Sequence, residues 1–167
     1  MSAAQRLGPL TPGHGGASPA CQLELMTVAS LSEVLEIEQR AYEFPWTRGN
    51  FIDSLHAGYL ARLLSARDGR LLGYFVAMSG FEEMHLLNLT VAPPFQGQGH
   101  ALRMLDTLCQ LARERAALQL WLEVRVSNAR ARALYERYGF QAAGMRKGYY
   151  PALEGRREDA IVMSLPL

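Results

Sequence analysis

The sequence is sparing in the residues that would tie it to several common functions. It has two cysteines, Cys21 and Cys109, in 167 residues, too few for a disulfide framework. Cys109 falls among apolar positions and reads as a small core residue rather than a nucleophile. The four histidines, His14, His56, His85 and His100, lie scattered without ligand spacing, so no metal is expected. Excess charge is also missing. The formal net charge is +1, which predicts no broad pull toward nucleic acid or a membrane surface. No apolar run approaches the ~18 residues of a membrane span. Residues 1–20, rich in Gly, Pro, Ser and Ala, contain no apolar stretch of the signal-peptide kind. There is no internal repeat. What remains is 49% hydrophobic and 20% charged, a balance that suits one globular domain with a sizeable core in a reducing cytoplasm.

Residues 1–20 lack periodicity and are expected to form a disordered tail, leaving 21–167 as the domain. Within it, Cys21 to Thr27 alternates and reads as a strand. Ser30-Leu31-Ser32-Glu33 has the form of a capping box opening a helix, which ends before Phe44-Pro45-Trp46. Thr47 caps a second, short helix carrying Phe51, Ile52 and Leu55. Tyr59 to Ala66 and Leu71 to Met78 are strands joined by Asp68-Gly69, a hairpin signal. Met84 to Val91 is a fourth strand, stopped by Pro93 and Pro94. A helix follows from Ala101 to about Arg115, with Ala101, Leu105, Leu108 and Ala112 on one stripe and Leu102 and Cys109 beside it. In Leu118 to Val126 the even positions share one face, and Gln119, Trp121, Glu123 and Arg125 share the other. Asn128 caps a helix that Gly139 ends. Phe140 to Met145 and Ala160 to Leu165 form a last strand pair, separated by a long polar and aromatic loop over 148–159. The order β-α-α-β-β-β-α-β-α-β-β predicts an α/β fold, a mixed central sheet with helices on both faces.

The turn Gln96-Gly97-Gln98-Gly99-His100-Ala101-Leu102 sits between the fourth strand and its helix. A phosphate-binding P-loop would need Lys and Ser or Thr where Ala101 and Leu102 stand. A dinucleotide fingerprint would need a third glycine at Leu102. The pattern Gln/Arg-x-x-Gly-x-Gly/Ala fits without strain, and in it the segment resembles the pyrophosphate loop of the GCN5-related N-acetyltransferases. That resemblance implies acetyl-CoA as co-substrate, with the pyrophosphate on the bare N–H groups of a helix N-terminus.

N-acetylation needs an amine that loses a proton, a stabilised thioester oxygen and a protonated leaving thiolate. A free α-amine, with pKa near ~7.7–8.0, asks only for a modest base. Glu123, a carboxylate in an otherwise apolar strand, is the candidate base; it reads equally as an ion-pair partner of Arg125. Tyr135, on the inward face of its helix, is either the acid or a core aromatic. Asn128 caps its helix, and its amide can also reach a pantetheine oxygen. A strand that splays from its neighbour would leave a backbone N–H near Val91 for the oxyanion and let pantetheine pair with Leu89, Thr90 and Val91. Arg103 and Arg130 are both candidates for the other phosphate.

Four further segments narrow the resemblance: Ile37-Glu38-Gln39-Arg40-Ala41 running into Phe44-Pro45-Trp46, Trp121-Leu122-Glu123-Val124-Arg125 running into Ser127-Asn128, Ala133-Leu134-Tyr135-Glu136, and Tyr149-Tyr150-Pro151 followed by Arg157-Glu158-Asp159-Ala160. In this order they resemble the bacterial Rim-type enzymes that acetylate the N-terminal alanine of a small-subunit ribosomal protein, over roughly residues 22 to 165. The resemblance implies Glu123 as general base and Tyr135 as general acid. It implies acetyl-CoA contacts at Leu89, Thr90, Val91, Gly97, Gln98, Gly99, His100, Ala101, Leu102 and Asn128, and peptide-groove walls at the Tyr-Tyr-Pro and Phe-Pro-Trp segments. The chain departs from the family's usual Leu-Gly-Arg after the second turn glycine, with His100-Ala101-Leu102 there. The expected partner is a peptide N-terminus, with no direct nucleic-acid or membrane binding and a monomeric enzyme. A broader N-terminal or lysine acetyltransferase and a non-catalytic acetyl-CoA sensor are the alternatives.

Overall fold

The computed structural model describes residues 21–167; the tail expected over 1–20 lies outside them. The elements are β1 (Gln22–Leu25), α1 (Leu31–Ala41), α2 (Arg48–His56), β2 (Leu60–Ser65), β3 (Leu71–Ser79), β4 (Glu83–Val91), α3 (His100–Glu114), β5 (Gln119–Arg125), α4 (Ala129–Tyr138), β6 (Gln141–Pro151) and β7 (Arg157–Pro166). They form one seven-stranded sheet ordered β1-β2-β3-β4-β5-β7-β6. The β4–β5 pair is parallel and the others are antiparallel. The mixed sheet and the element order are those the sequence predicts.

Two cores lie on the two faces. Leu105, Leu108, Cys109 and Ala112 of α3 pack with Phe75, Leu86, Leu120, Leu122, Tyr135 and Phe140. On the other face Leu31 and Val34 of α1 and Phe51 of α2 pack with Ala61, Leu63, Tyr74 and Val76. Each fully buried Leu or Phe contributes about 1.5–3 kcal/mol by leaving water, so the helices are held by these stripes. Leu102 is exposed, as are Leu118 and Val126, which flank β5. The buried stretches are therefore shorter than the apolar pattern suggests, at the start of α3 and on either side of β5.

Two local readings are corrected. Ser30 stands at the N-cap of α1, but its side chain makes no cap hydrogen bond there. Its hydroxyl accepts from Thr27 N at 3.1 Å and donates to Thr27 O at 2.8 Å, closing a single 3-10 turn before the helix. The segment 148–159 is not a loop: β6 runs on to Pro151, a short turn spans Leu153–Gly155, and β7 begins at Arg157. The turn residues in that segment are accommodated by register shifts in the β6–β7 ladder. Its polar side chains are used inside the hairpin. Asp159 accepts from Gly148 N at 2.7 Å, and Arg157 donates to the carbonyls of Gly148 and Tyr149.

Two irregularities in β4 open the sheet on one side. The β3–β4 register steps from Ala77↔Leu86 to Val76↔Asn88, so Leu87 is an extra residue, a β-bulge. Before it, Met84 and Leu86 face α3; after it, Asn88 and Thr90 turn toward α1, and Leu89 and Val91 face α3. The β4–β5 ladder also stops at Leu86↔Leu122. Beyond that point β4 stays with β3 as far as Val91↔Gly73, and β5 stays with β7 as far as Arg125↔Ala160. The strands part between them. Gly73 lets β4 lie close on its β3 side, since a Cβ there would stand 2.5 Å from Thr90 O.

The bulge delivers Asn88 and Thr90 to a carboxylate that is almost fully buried, Glu38, at 1% exposure. Glu38 accepts from Trp46 N at 2.9 Å, from the Tyr74 hydroxyl at 2.5 Å and from Asn88 Nδ2 at 3.2 and 3.3 Å. Burying a carboxylate is costly unless its lone pairs are filled. Here they are filled from α1's own C-terminal connection and from β3 and β4, so one residue ties the helix to the strands that frame the gap. Glu38→Ala, which strands these donors, should lower unfolding free energy by about 3 kcal/mol in urea titrations; a loss under about 0.5 kcal/mol would mean the network adds nothing.

Candidate active site

Where β4 and β5 part, a cleft of about 500 Å³ opens. One wall is β4 at Leu89, Thr90 and Val91. The floor is the turn from Gln96 into the first turn of α3, the far wall is α4 from Asn128 to Arg137, and Ala41 and Tyr42 close one end. Backbone alternation decides which groups of β4 face the opening. The N–H of Ala92 donates to Leu72 O in β3, so the N–H groups of Leu89 and Val91 point the opposite way, into the gap. Their carbonyls point there too: Leu89 O accepts from the Tyr42 hydroxyl at 3.3 Å, and Val91 O accepts from Gln96 Nε2 at 3.2 Å. The edge therefore presents two unmatched donors to a ligand.

The turn is built from two left-handed glycines, Gly97 at φ 76° and Gly99 at φ 83°, a conformation that costs an L-residue roughly 1–2 kcal/mol. Gln96 locks it, bridging Val91 O and the Arg130 guanidinium, which donates to Gln96 Oε1 at 2.7 Å. Gly99 is the N-cap of α3 and carries no side chain over the helix end. The N–H groups of the first turn and the positive end of the dipole thus face the cleft floor. Burial, reinforced by the Arg103 charge, holds the His100 imidazole below its ordinary pKa.

Nine of the ten sequence-predicted cofactor positions line this one cleft: Leu89, Thr90, Val91, Gly97, Gly99, His100, Ala101, Leu102 and Asn128; Gln98 is exposed and does not. Asn128 also caps α4, accepting from Ala131 N at 3.1 Å. Of the two candidate arginines, Arg130 lines the cleft, whereas Arg103 donates to Cys21 O at 2.6 Å, away from it. Tyr135 lines the cleft as well. Its ring packs edge-on against Phe140, and burial, with the Tyr42 and Tyr150 phenols nearby, pushes its pKa well above the usual phenol value. Its phenol makes no hydrogen bond among the described residues, while its backbone carbonyl accepts from Gly139 N and Phe140 N.

Glu123 lies on β5 one residue past the last rung shared with β4, with its side chain 13% exposed. It does not pair with Arg125. Its carboxylate meets Arg146 at 3.3 Å, and Tyr150 donates to its backbone carbonyl at 2.9 Å. Adjacent same-face spacing made Arg125 the obvious partner, but Arg125 is claimed elsewhere. It lies over the rings of Phe44 and Tyr150, at 5.6 and 4.4 Å, and bonds Pro151 O and Glu158. It thereby pins the Phe-Pro-Trp segment against the β6–β7 hairpin. A groove of about 440 Å³ runs between these walls, lined by Glu43, Phe44, Arg125, Leu153, Glu154 and Glu158 among others. Burial, and then Tyr149 and Glu123, hold the Tyr150 phenol above its ordinary pKa.

Three residues with parts in this site were not singled out from sequence. Tyr42 falls between the two expected helices, Gln96 enters only within the turn pattern and Glu38 only within the Ile37-to-Ala41 segment; of the three, Glu38, a carboxylate near Leu31, Val34 and Ile37, carries a local signal.

The arrangement suits a long ligand that is anionic at one end and extended at the other, with the Tyr135 phenol in the same cleft; Glu123 lines neither the cleft nor the groove. Comparison with known proteins agrees. Residues 31–140 match the acetyltransferase (GNAT) family, and the chain belongs to that family. It is 39% identical over 145 residues, covering 87% of this chain and 97% of the relative, to a [ribosomal protein bS18]-alanine N-acetyltransferase of Salmonella typhimurium. The crystal structure of the ribosomal-protein-S18-alanine N-acetyltransferase from Escherichia coli superposes with TM-score 0.80 at 37% identity, covering 88% of this chain and 94% of that one. Ard1 from Thermoplasma volcanium shares the fold at TM-score 0.78 and 22% identity, covering 89% and 98%. No group of three or more metal-binding side chains, and no helix long and apolar enough to cross a membrane, occurs among the described residues.

Glu158 gives the groove a pH signature. Its hydrogen bonds from Ser127, including Ser127 N at 2.7 Å, and its pairing with Arg125 hold its carboxyl below the ordinary 4.5. A depressed folded pKa adds stability above the unfolded value that is lost as pH falls through the folded one. Thermal melts should therefore drop more steeply below pH 4.5 in the parent than in Glu158→Gln; parallel acid limbs would remove this contribution.

Proposed function

We propose that the chain transfers the acetyl group of acetyl-CoA to the N-terminal α-amine of a protein, the N-terminal alanine of ribosomal protein bS18, by direct attack in a ternary complex. The observation that carries the reading is the parted β4 edge joined to a bare helix N-terminus in one cleft. Pantetheine lies along Leu89, Thr90 and Val91 as a surrogate strand and meets the groups of Leu89 and Val91 that face the gap, while the Thr90 amide stays with β3. The pyrophosphate takes the N–H groups from Gly97 through Gln98, Gly99, His100 and Ala101 to Leu102, with Arg130 as its cation. Asn128 reaches a pantetheine oxygen. The acceptor peptide enters along the groove between Phe44 and the β6–β7 hairpin. Its preference for bS18 follows from the relatives that act on that protein.

In this reading Glu123, directly or through a water, takes the proton of the amine. The nitrogen attacks the thioester carbon, and the Val91 N–H receives the developing oxyanion. The tetrahedral intermediate gives up the nitrogen's second proton to water and collapses with loss of the CoA thiolate, which takes the Tyr135 proton. A phenol held protonated by burial is suited to giving that proton only to a basic leaving group. Neither buried cysteine lines the cleft, in keeping with transfer that forms no acyl-enzyme. A monomer working in the cytoplasm suffices, because one chain supplies both the cofactor cleft and the acceptor groove.

The test is acetyl transfer to two short peptides with Ala first and a basic sequence after it, one with its N-terminus blocked and its lysines kept. Acetylation of the free N-terminus alone is expected. Modification of the blocked peptide would make the chain a lysine acetyltransferase, and binding of acetyl-CoA with no transfer to either would make it a sensor. On the accepted peptide, Glu123→Gln should lower kcat about 10²-fold or more at neutral pH, and Tyr135→Phe should do so with acetyl-CoA affinity retained; an unimpaired rate would withdraw the role from that residue.

A further inference from the structure

The hydrogen bonds between Glu38 and the cleft run in one direction only. Every partner of the Glu38 carboxylate donates to it, and the Asn88 donor is its Nδ2. That fixes the Asn88 amide with Oδ1 turned to Thr90, whose hydroxyl donates to it at 2.7 Å. A hydroxyl has one proton. With that proton spent on Asn88, Thr90 Oγ1 can only accept in its 2.8 Å contact with the Tyr42 hydroxyl, so Tyr42 is the donor. The other acceptor within reach of the Tyr42 hydroxyl, Leu89 O at 3.3 Å, draws on the same proton. Tyr42, whose pKa burial pushes up to about 12, keeps that proton, and its oxygen is left with lone pairs alone for anything in the cleft that it lines.

We propose that Tyr42 binds the acceptor amine: its Oη accepts a hydrogen bond from an N–H of the attacking amine and holds that nitrogen in the site. This rests on the acetyl-transfer reading and adds an amine-recognition residue to it. Position supports it. Tyr42 lines the end of the cofactor cleft, and the next two residues, Glu43 and Phe44, line the acceptor groove, so it stands between the two binding regions. Chemistry supports it too. The thioester at the reacting end of the cofactor has no N–H to offer Oη, and the amine does. The chain from Glu38 through Asn88 and Thr90 is then a positioning device that keeps the Tyr42 proton out of the way.

Steady-state kinetics of the full chain and calorimetry with acetyl-CoA test this. In Tyr42→Phe, KM for the acceptor peptide should rise about tenfold with kcat within about twofold, the pattern of an interaction made equally in ground and transition states, and the Kd for acetyl-CoA should stay within about twofold. Thr90→Val leaves the Tyr42 ring in place but removes the closer of the two acceptors that hold its proton, leaving only the longer contact with Leu89 O at 3.3 Å; KM for the peptide should rise about threefold, more than any change in Kd for acetyl-CoA. Weakened acetyl-CoA binding with peptide KM unchanged would make Tyr42 a cofactor contact and overturn the proposal. So would a large fall in kcat at constant KM, or no effect of either substitution. The choice of acceptor by the parent enzyme is read separately with the blocked peptide. If lysine proves to be the amine, the functional reading fails, while the Tyr42 kinetics, repeated on that acceptor, still decide this proposal.

Discussion

The site depends on a ladder that stops. After Leu86 and Leu122, β4 and β5 share no further rung, although each continues for several residues with its outer neighbour. A buried sheet does not leave backbone donors unmatched without a reason, because each costs about 1–3 kcal/mol when nothing replaces the partner. Here the loss falls at a cleft open to ligand, where water or a pantetheine amide can take the partner's place. The bulge at Leu87 makes the parting useful, because it reverses which face each later residue serves. Asn88 and Thr90 become anchors to α1, and Leu89 and Val91 line the opening.

The surrounding elements hold this gap at a fixed width. On the β4 side, Gly73 permits close approach of β3, and Glu38 binds Asn88 and the Trp46 backbone together. On the β5 side, the β6–β7 hairpin holds β5 through Pro151 O, which accepts from Arg125, and the Tyr150 hydroxyl, which donates to Glu123 O. The walls are rigid for different reasons. One is a buried polar network, in which each donor finds its acceptor; the other is a cation held between two rings and a carboxylate. Rigid walls favour a transfer reaction, since pre-set geometry converts an encounter of two bound substrates into a near-unimolecular step.

Much of this was legible in the sequence where short-range physics decides. The two glycines at 97 and 99, the prolines at 93 and 94, the Asn128 cap and the Gly139 stop each act within a few residues, and all lie where the pattern puts them. The alternation in β5 gave its buried face correctly at Leu120, Leu122 and Val124. What depends on distant partners was not legible. Arg125 next to Glu123 looks like a pair until the hairpin supplies Glu158 and Arg146 as rivals. The stretch 148–159 looks like a loop because its Gly, Pro and charges are turn residues, and only its cross-strand partners make it a hairpin. Glu38 could be seen as a carboxylate on an apolar face, but its donors come from 36 and 50 residues away. Nothing local marks the bulge at Leu87, on which the pairing of Tyr42 with Thr90 depends.

The most direct measurement is amide hydrogen exchange at single-residue resolution along β4, with and without acetyl-CoA. Leu89 and Val91, which face the gap, should exchange fast in the free protein and become protected when acetyl-CoA binds, while Thr90, already facing β3, should change little. Equal protection of all three in the free protein, or no added protection at Leu89 and Val91 with acetyl-CoA bound, would contradict the claim that the parted edge is where the co-substrate lies.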